Sequence, residues 1–524
     1  MPAIGGCGND PENRQKRTGG IVGLRTDSNG ARLSRRMLIA GLLACGATAM
    51  ARADAPATSI RPRPRPQGGN PASAGAIMPN AAPNAAQAAA RPDARALIEA
   101  ARLGGRTSYA LIDARTGALI EGIAPEQSQP PASVAKAVTA LYALERLGAN
   151  HTWTTSLIAT GPIQGGVLRG DLVLAGGGDP TLSTDDLAGL VARLTQAGVS
   201  RISGDFLVHA GALPQILEID EAQPAHVGYN PAISGLNLNF NRVHVEWKRA
   251  KNGWQIGADA RGQNTVPRVS RIRANVANRD TPLFTYARDG NGETWTVAAS
   301  ALSGNGSRWL PVRDPALYAG EVFQTLAAAR GITLPAPRLA RGPIGGTTIA
   351  RHASAPLTII LRDMLRHSTN LTAEVVGLSA SGAGSLQASA AAMNGWARAR
   401  HGVEVSFVDH SGLGGGSRIS AQSMAILMAR NPHLQDLLRL FRTGEKNQGL
   451  EIPSKTGTLN FVSGLGGFIP GRRPMCFAIF SSDTSRRDAL RGAERERPAG
   501  GSEWTRRARR LQGQLLEDWA ARHG

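Results

Sequence analysis

The alternation of apolar and polar positions divides the chain into stretches of different character. Residues 1–30 are polar and carry no apolar periodicity, and an apolar run over 37–50 follows them. No apolar run reaches the ~18 residues that crossing a bilayer requires, so an integral membrane protein is not expected. From residue 54 to about 91 the chain is mostly Ala, Pro, Asn, Gln and Gly, opening on Arg61-Pro-Arg63-Pro-Arg65-Pro. Alternating proline favours extended polyproline II, so this stretch reads as a tether without a core. Order is expected from Asp93. The pattern predicts a helix over 94–101, strands over 107–113 and 118–121 around the Arg115-Thr116-Gly117 turn, and a helix over 133–147 closed by Gly148. That last helix is apolar on nearly every side and should be central and buried. Residues 152–345 change character to short strands with Gly, Asn and Pro turns, such as 168–174 and 243–247, with one clear helix over 184–196. Helices return over 357–366, 370–379 and 385–400. The tail is expected as a strand pair, 456–469 and 475–481, followed by a helix over 503–522. The fold class expected is α/β (α+β). A mixed domain in two parts, 93–151 and 346–524, is interrupted by a strand-rich inserted region, 152–345.

Composition adjusts this picture. The formal charge of +20 in 524 residues raises the prospect of a nucleic-acid or membrane partner. Of 59 basic residues, however, only six are lysine (Lys16, Lys136, Lys248, Lys251, Lys446 and Lys455) and the other 53 are arginine. With 63 glycines and 31 prolines, so lopsided a ratio fits a GC-rich genome as well as an anionic partner. Aromatic residues are 4 %, thin for stacking single-stranded bases, so no nucleic-acid partner is expected. Three cysteines exclude a disulfide scaffold.

The apolar run is preceded by Ser34-Arg35-Arg36 and followed by Ala51-Arg52-Ala53. Paired arginines, a short apolar core and small residues before a cut site read as an export signal of twin-arginine type, with cleavage after Ala53 and a periplasmic destination. Leu42-Leu43-Ala44-Cys45 offers a minor lipoprotein alternative, anchored at Cys45. Cleavage would leave Cys476 as the one thiol, and its setting, Met475-Cys476-Phe477-Ala478-Ile479-Phe480, marks it as buried strand. The terminal helix gathers Trp504, Ala508, Leu511, Leu515 and Trp519 on one face, suited either to packing against the sheet or to peripheral contact with a membrane or wall.

Two of the six lysines carry the chemistry. Ser133-Val134-Ala135-Lys136 places a serine and a lysine at i and i+3 on one helical face, with Pro130-Pro131 setting the serine at the helix start. A chain of this composition yields roughly 0.4 S-x-x-K motifs by chance, so the motif alone is weak. Lys455-Thr456-Gly457 is expected only roughly 0.04 times and opens a strand where glycine lets a substrate backbone approach. Ser368-Thr369-Asn370 adds an S-x-N between two helices. Ser303-Gly304-Asn305 fits the same pattern but sits in a turn of the strand-rich region. The order S-x-x-K, S-x-N, K-T-G, each on a fitting element, is a strong combined signal. Asp409 and Ser411 read first as loop-turn residues, with a direct role in the site as the alternative. His367 and His410 invite a Ser-His-Asp reading, but no G-x-S-x-G elbow exists in the chain. No H-E-x-x-H or paired Cys/His spacing suggests zinc, and neither a metal nor a cofactor is expected.

Together the three motifs resemble those of the serine penicillin-recognising enzymes, the penicillin-binding proteins and serine β-lactamases. Ser133 and Ser368 lie 235 positions apart, where compact β-lactamases use a short helical lobe. Such an interruption resembles the D-alanyl-D-alanine carboxypeptidase/endopeptidase family, the low-molecular-mass class C penicillin-binding proteins. The stretch 170–182 (Gly-Asp-Leu-Val-Leu-Ala-Gly-Gly-Gly-Asp-Pro-Thr-Leu), the Leu-Asn-Leu-Asn-Phe-Asn run 236–241 and Asp409-His410-Ser411-Gly412-Leu413 fit that family. Gly414-Gly415-Gly416 departs from its usual Ser-Arg continuation, and the link 444–453 into Lys455 is unfamiliar. The resemblance implies a transpeptidase/β-lactamase-like domain acting on peptidoglycan stem peptides, with β-lactams as covalent inhibitors. Ser133 would attack the carbonyl of the penultimate D-alanine, with Lys136 as the base, its pKa lowered by burial and by the Lys455 cation. Ser368 would relay a proton to the leaving amine and Asn370 would hold the substrate amide. Lys455 and Thr456 would bind the terminal carboxylate, Gly457 would let the substrate backbone approach, and the backbone N–H groups of Ser133 and Thr458 would form the oxyanion hole. The alternatives are a serine β-lactamase-like hydrolase, against which the missing E-x-x-L-N motif argues, and a non-catalytic murein-binding scaffold, against which the intact serine and lysines argue.

Overall fold

The structure, a computed structural model, describes residues 93–444, 449–496 and 498–524. The expected export signal, the expected tether and Cys45 lie outside the described residues. The central element is a six-stranded antiparallel sheet that draws its strands from both ends of the described chain. Its order is Leu119–Ile123, Arg106–Asp113, Met475–Ser482, Val462–Ile469, Glu451–Leu459 and Arg439–Arg442. All eight residues of Met475–Ser482 are buried, and the strand period of two explains why the run is apolar throughout. Cys476, Ala478 and Phe480 face one core, and Met475, Phe477 and Ile479 face the other.

On the first face lies a helical lobe: Ala135–Leu147, Leu357–His367, Asn370–Ser381, Leu386–His401 and Ala421–Ala429. The helix Ala135–Leu147 is buried continuously from Ala135 to Ala143, as its all-round apolar pattern predicts, and Gly148 caps it. On the second face the first and last helices, Ala94–Ala101 and Gly501–His523, cover the sheet. Trp504, Ala508, Leu511, Leu515 and Trp519 are all fully buried there, so this apolar face packs on the sheet and is closed to a membrane. The Trp504 indole donates to the Leu103 carbonyl at 2.6 Å and ties the terminal helix to the start of the sheet.

Between Thr154 and Ala353 the chain leaves this sheet and builds others. A five-stranded mixed sheet runs Arg338–Leu339, Phe206–His209, Leu172–Ala175, Thr154–Ala159, Thr347–Ala353. Two larger three-stranded sheets, around Arg242–Ala250 and Gly292–Ala298, share its core. Two features depart from the sequence reading. A second helix, Pro315–Ala328, packs against Thr184–Gln196. Ten of its residues, from Pro315 to Ala327, are buried and leave no wide polar face for periodicity to reveal. The expected strand over 456–469 is in fact a hairpin, Glu451–Leu459 and Val462–Ile469, turning at Asn460-Phe461. Phe461 takes the left-handed conformation (φ 53°) while its ring is buried against Trp504, so an apolar aromatic hides the turn.

Candidate active site

Ser133 sits in a single 3-10 turn, Ala132–Val134, that leads into the helix Ala135–Leu147. Pro130 and Pro131 precede the turn, and Ala132 is held at φ 47°, a conformation L-residues avoid without support from around them. The support comes from close backbone approach. A Cβ on Gly457 would meet the Pro131 carbonyl and lie 3.0 Å from the Ser133 nitrogen, and one on Gly412 would meet the Ala132 carbonyl. Glycine at these positions therefore lets the strand Glu451–Leu459 and the 409–414 loop press onto the serine turn.

Lys136 follows one turn later and is completely buried. Its ammonium donates to Ser133 Oγ at 2.9 Å, to Asn370 Oδ1 at 2.7 Å and to the Ser411 carbonyl at 2.8 Å. Burial pushes its pKa down to about 7, with the charges of Glu374 and Asp409 pulling the other way. The Lys455 cation, expected from the sequence to depress Lys136, is not among the causes. The repulsion registers on Lys455 instead, which burial, Lys136 and Arg439 hold well below the ordinary lysine range. Lys455 donates to Ser368 Oγ at 3.0 Å and to the Thr456 carbonyl at 2.8 Å. Ser368 adopts φ 57° as it ends the helix Leu357–His367, which turns its hydroxyl to this lysine. Asn370 opens the next helix, and its Nδ2 donates to the Tyr229 carbonyl at 2.9 Å, so the region between the first two motifs reaches the site.

Residues from all three motifs thus meet in one place. Gly457 is packed under the serine turn, while Thr456 is half-buried and Thr458 exposed. Arg439 pairs with Ser454, where pairing on that side of the strand stops, so the edge from Lys455 to Leu459 is open among the described residues. An open edge beside a nucleophile suits an extended peptide adding as a further strand.

Asp409 and Ser411, ambiguous in sequence, belong to the site's wall. The Ser411 carbonyl touches Lys136, and Asp409 accepts the N–H groups of Gly412 at 2.7 Å and Gly414 at 2.5 Å. His410 takes no part in a triad: it meets Ser389 Oγ at 2.6 Å, and burial pushes it down to about 3, so it is neutral. His367 is exposed. The decoy Ser303-Gly304-Asn305 is structural, with Gly304 and Asn305 accepting from Trp247 and Arg249. Glu374, which sequence reasoning missed, is fully buried beside Lys136. Its signal was present: a lone acid in an apolar helix, four residues after Asn370.

A serine hydroxyl held by a buried lysine of near-neutral pKa, with a second serine–lysine pair beside it, defines a serine acyl-transfer hydrolase. The chain belongs to the D-Ala-D-Ala carboxypeptidase 3 (S13) family, whose model matches residues 94–499, and it is a serine-type carboxypeptidase of that kind. It is 26 % identical over 452 residues to a D-alanyl-D-alanine carboxypeptidase of Actinomadura sp. (strain R39), covering 75 % of this chain and 81 % of the relative. It is 25 % identical over 255 residues to the D-alanyl-D-alanine carboxypeptidase DacB of Haemophilus influenzae, covering 46 % of this chain and 52 % of that one. The fold is similar to that of the crystal structure of penicillin binding protein 4 (dacB) from H. influenzae. The TM-score is 0.66 at 20 % identity, covering 81 % of this chain and 99 % of that one.

Proposed function

We propose that the chain cleaves D-Ala-D-X bonds of peptidoglycan stem peptides through an acyl-enzyme on Ser133, and that β-lactams acylate the same hydroxyl. The observation that carries this reading is the 2.9 Å contact between Ser133 Oγ and a fully buried Lys136. Neutral Lys136 takes the hydroxyl proton as Ser133 Oγ bonds to the carbonyl of the penultimate residue. The tetrahedral oxyanion is met by the backbone N–H groups of Ser133 and Thr458. The C–N bond then breaks as the amine leaves with a proton delivered through Ser368. Lys455 and Thr456 bind the terminal carboxylate, and Asn370 exchanges its Tyr229 contact for the substrate amide. Water hydrolyses the ester and restores Ser133.

The paired arginines at 35–36 support export to the periplasm by a twin-arginine route, and residues 152–345 are taken as an inserted region within the transpeptidase-like domain. Incubation with purified muropeptides, read by mass spectrometry, tests the activity. The expected result is loss of a terminal alanine or opening of a cross-link by the wild type and neither by Ser133→Ala. Intact muropeptides after incubation with a folded wild type would refute it.

A further inference from the structure

Glu374 stands one turn after Asn370 on the helix Asn370–Ser381, so both project from the same face. No part of it reaches solvent. Its two oxygens hold neighbouring amides of one loop. Oε1 accepts the Ser411 N–H at 2.8 Å and Oε2 the His410 N–H at 2.9 Å. The loop held in this way carries the Ser411 carbonyl that accepts from Lys136 at 2.8 Å. The opposite side of the loop is held by Asp409 through Gly412 and Gly414. Burial and the Asp409 charge push its carboxyl up to about 8, with Ser411, His410 and the Lys136 charge pulling the other way.

We infer that Glu374 is the positioning residue of the Lys136 base: it clamps the loop whose carbonyl orients the amine. This rests on the assignment of Lys136 as base made above. The charged and titratable groups facing the pair are Asp409 and His410 from the loop and Lys455 from the strand Glu451–Leu459, with Asp220 acting on Asp409. Glu374 opposes the fall in Lys136's proton affinity that burial causes. That pull needs the charged carboxylate, and the raised carboxyl is largely protonated along the acid limb of Lys136, so replacing it by an amide leaves that limb in place. The same change turns one of the clamping oxygens into an amide donor that faces a backbone N–H, which loosens the loop.

The test times acylation by fluorescent penicillin between about pH 5 and about pH 9 for wild type, Glu374→Gln and Glu374→Asp, with thermal melts alongside. In Glu374→Gln the plateau rate falls about tenfold while the acidic limb stays in place, and Glu374→Asp, which keeps both accepting oxygens, recovers part of the rate. A folded Glu374→Gln with the wild-type plateau rate would overturn the inference. So would loss of folding in both variants, because the carboxylate's role would then be packing. A folded wild type that takes no label would sink the Lys136 assignment and this inference with it, whereas a labelled wild type with an undiminished plateau in the variant sinks this inference alone.

Discussion

Burying an ammonium group is costly, and this chain does it twice within one site, at Lys136 and Lys455. The cost is what makes the chemistry available, because an amine that stayed protonated to pH 10 could not accept a serine proton at neutral pH. With the Lys136 pKa near 7, the sign follows directly. Below that pH the amine is protonated and cannot serve as base, so acylation by penicillin should fall about tenfold per pH unit on the acid side and level off above it. Stopped-flow acylation rates across pH check this; a rate flat through the acid range would place the base elsewhere. His410 is neutral and turned to Ser389, so it contributes no limb of its own. At this scale much of the site could be read from sequence, because Ser133, Lys136, Ser368, Asn370 and Lys455 sit in short motifs whose local spacing already fixes their geometry. Glu374 could not be found in that way. Its partners, Lys136 and the His410-Ser411 amides, come from other segments, and only the fold brings them to it.

The elements position the nucleophile by close approach, and glycines make it possible. A methyl group at residue 457 would press on the Pro131 carbonyl and the Ser133 nitrogen, both backbone atoms that cannot swing aside. Gly457→Ala should therefore push the Ser133 turn out of line and lower the acylation rate at least about tenfold, because displacements of about an ångström are costly to catalysis. The strand itself stays paired with Val462–Ile469, so the variant should remain folded. Wild-type acylation rates in this variant would show that the turn has room to spare. Periodicity revealed those elements with one polar face, such as Thr184–Gln196, whose capping box at Ser183 also marks its start. It missed Pro315–Ala328, where burial is nearly all-round and no motif marks the helix as Ser133-Val134-Ala135-Lys136 marks Ala135–Leu147, and it missed the turn at Phe461, which a buried ring occupies.

In the whole molecule, the six-stranded sheet joins residues more than 350 positions apart: Arg106–Asp113 pairs directly with Met475–Ser482. That pairing cannot be read from local pattern, since both strands are simply apolar runs. The helical lobe on one face and the terminal helices on the other explain why the runs are apolar, each face having its own core. The charge of +20 gave little guidance to function. The scarcity of lysine told more, since two of six stand in the site, both buried. Everything proposed for this site depends on Ser133 being the atom that becomes acylated. The most direct measurement is peptide mapping by mass spectrometry after exposure to benzylpenicillin. One adduct on the peptide containing Ser133, absent in Ser133→Ala, is the expected result. An adduct on any other residue, or none on a folded wild type, would contradict it.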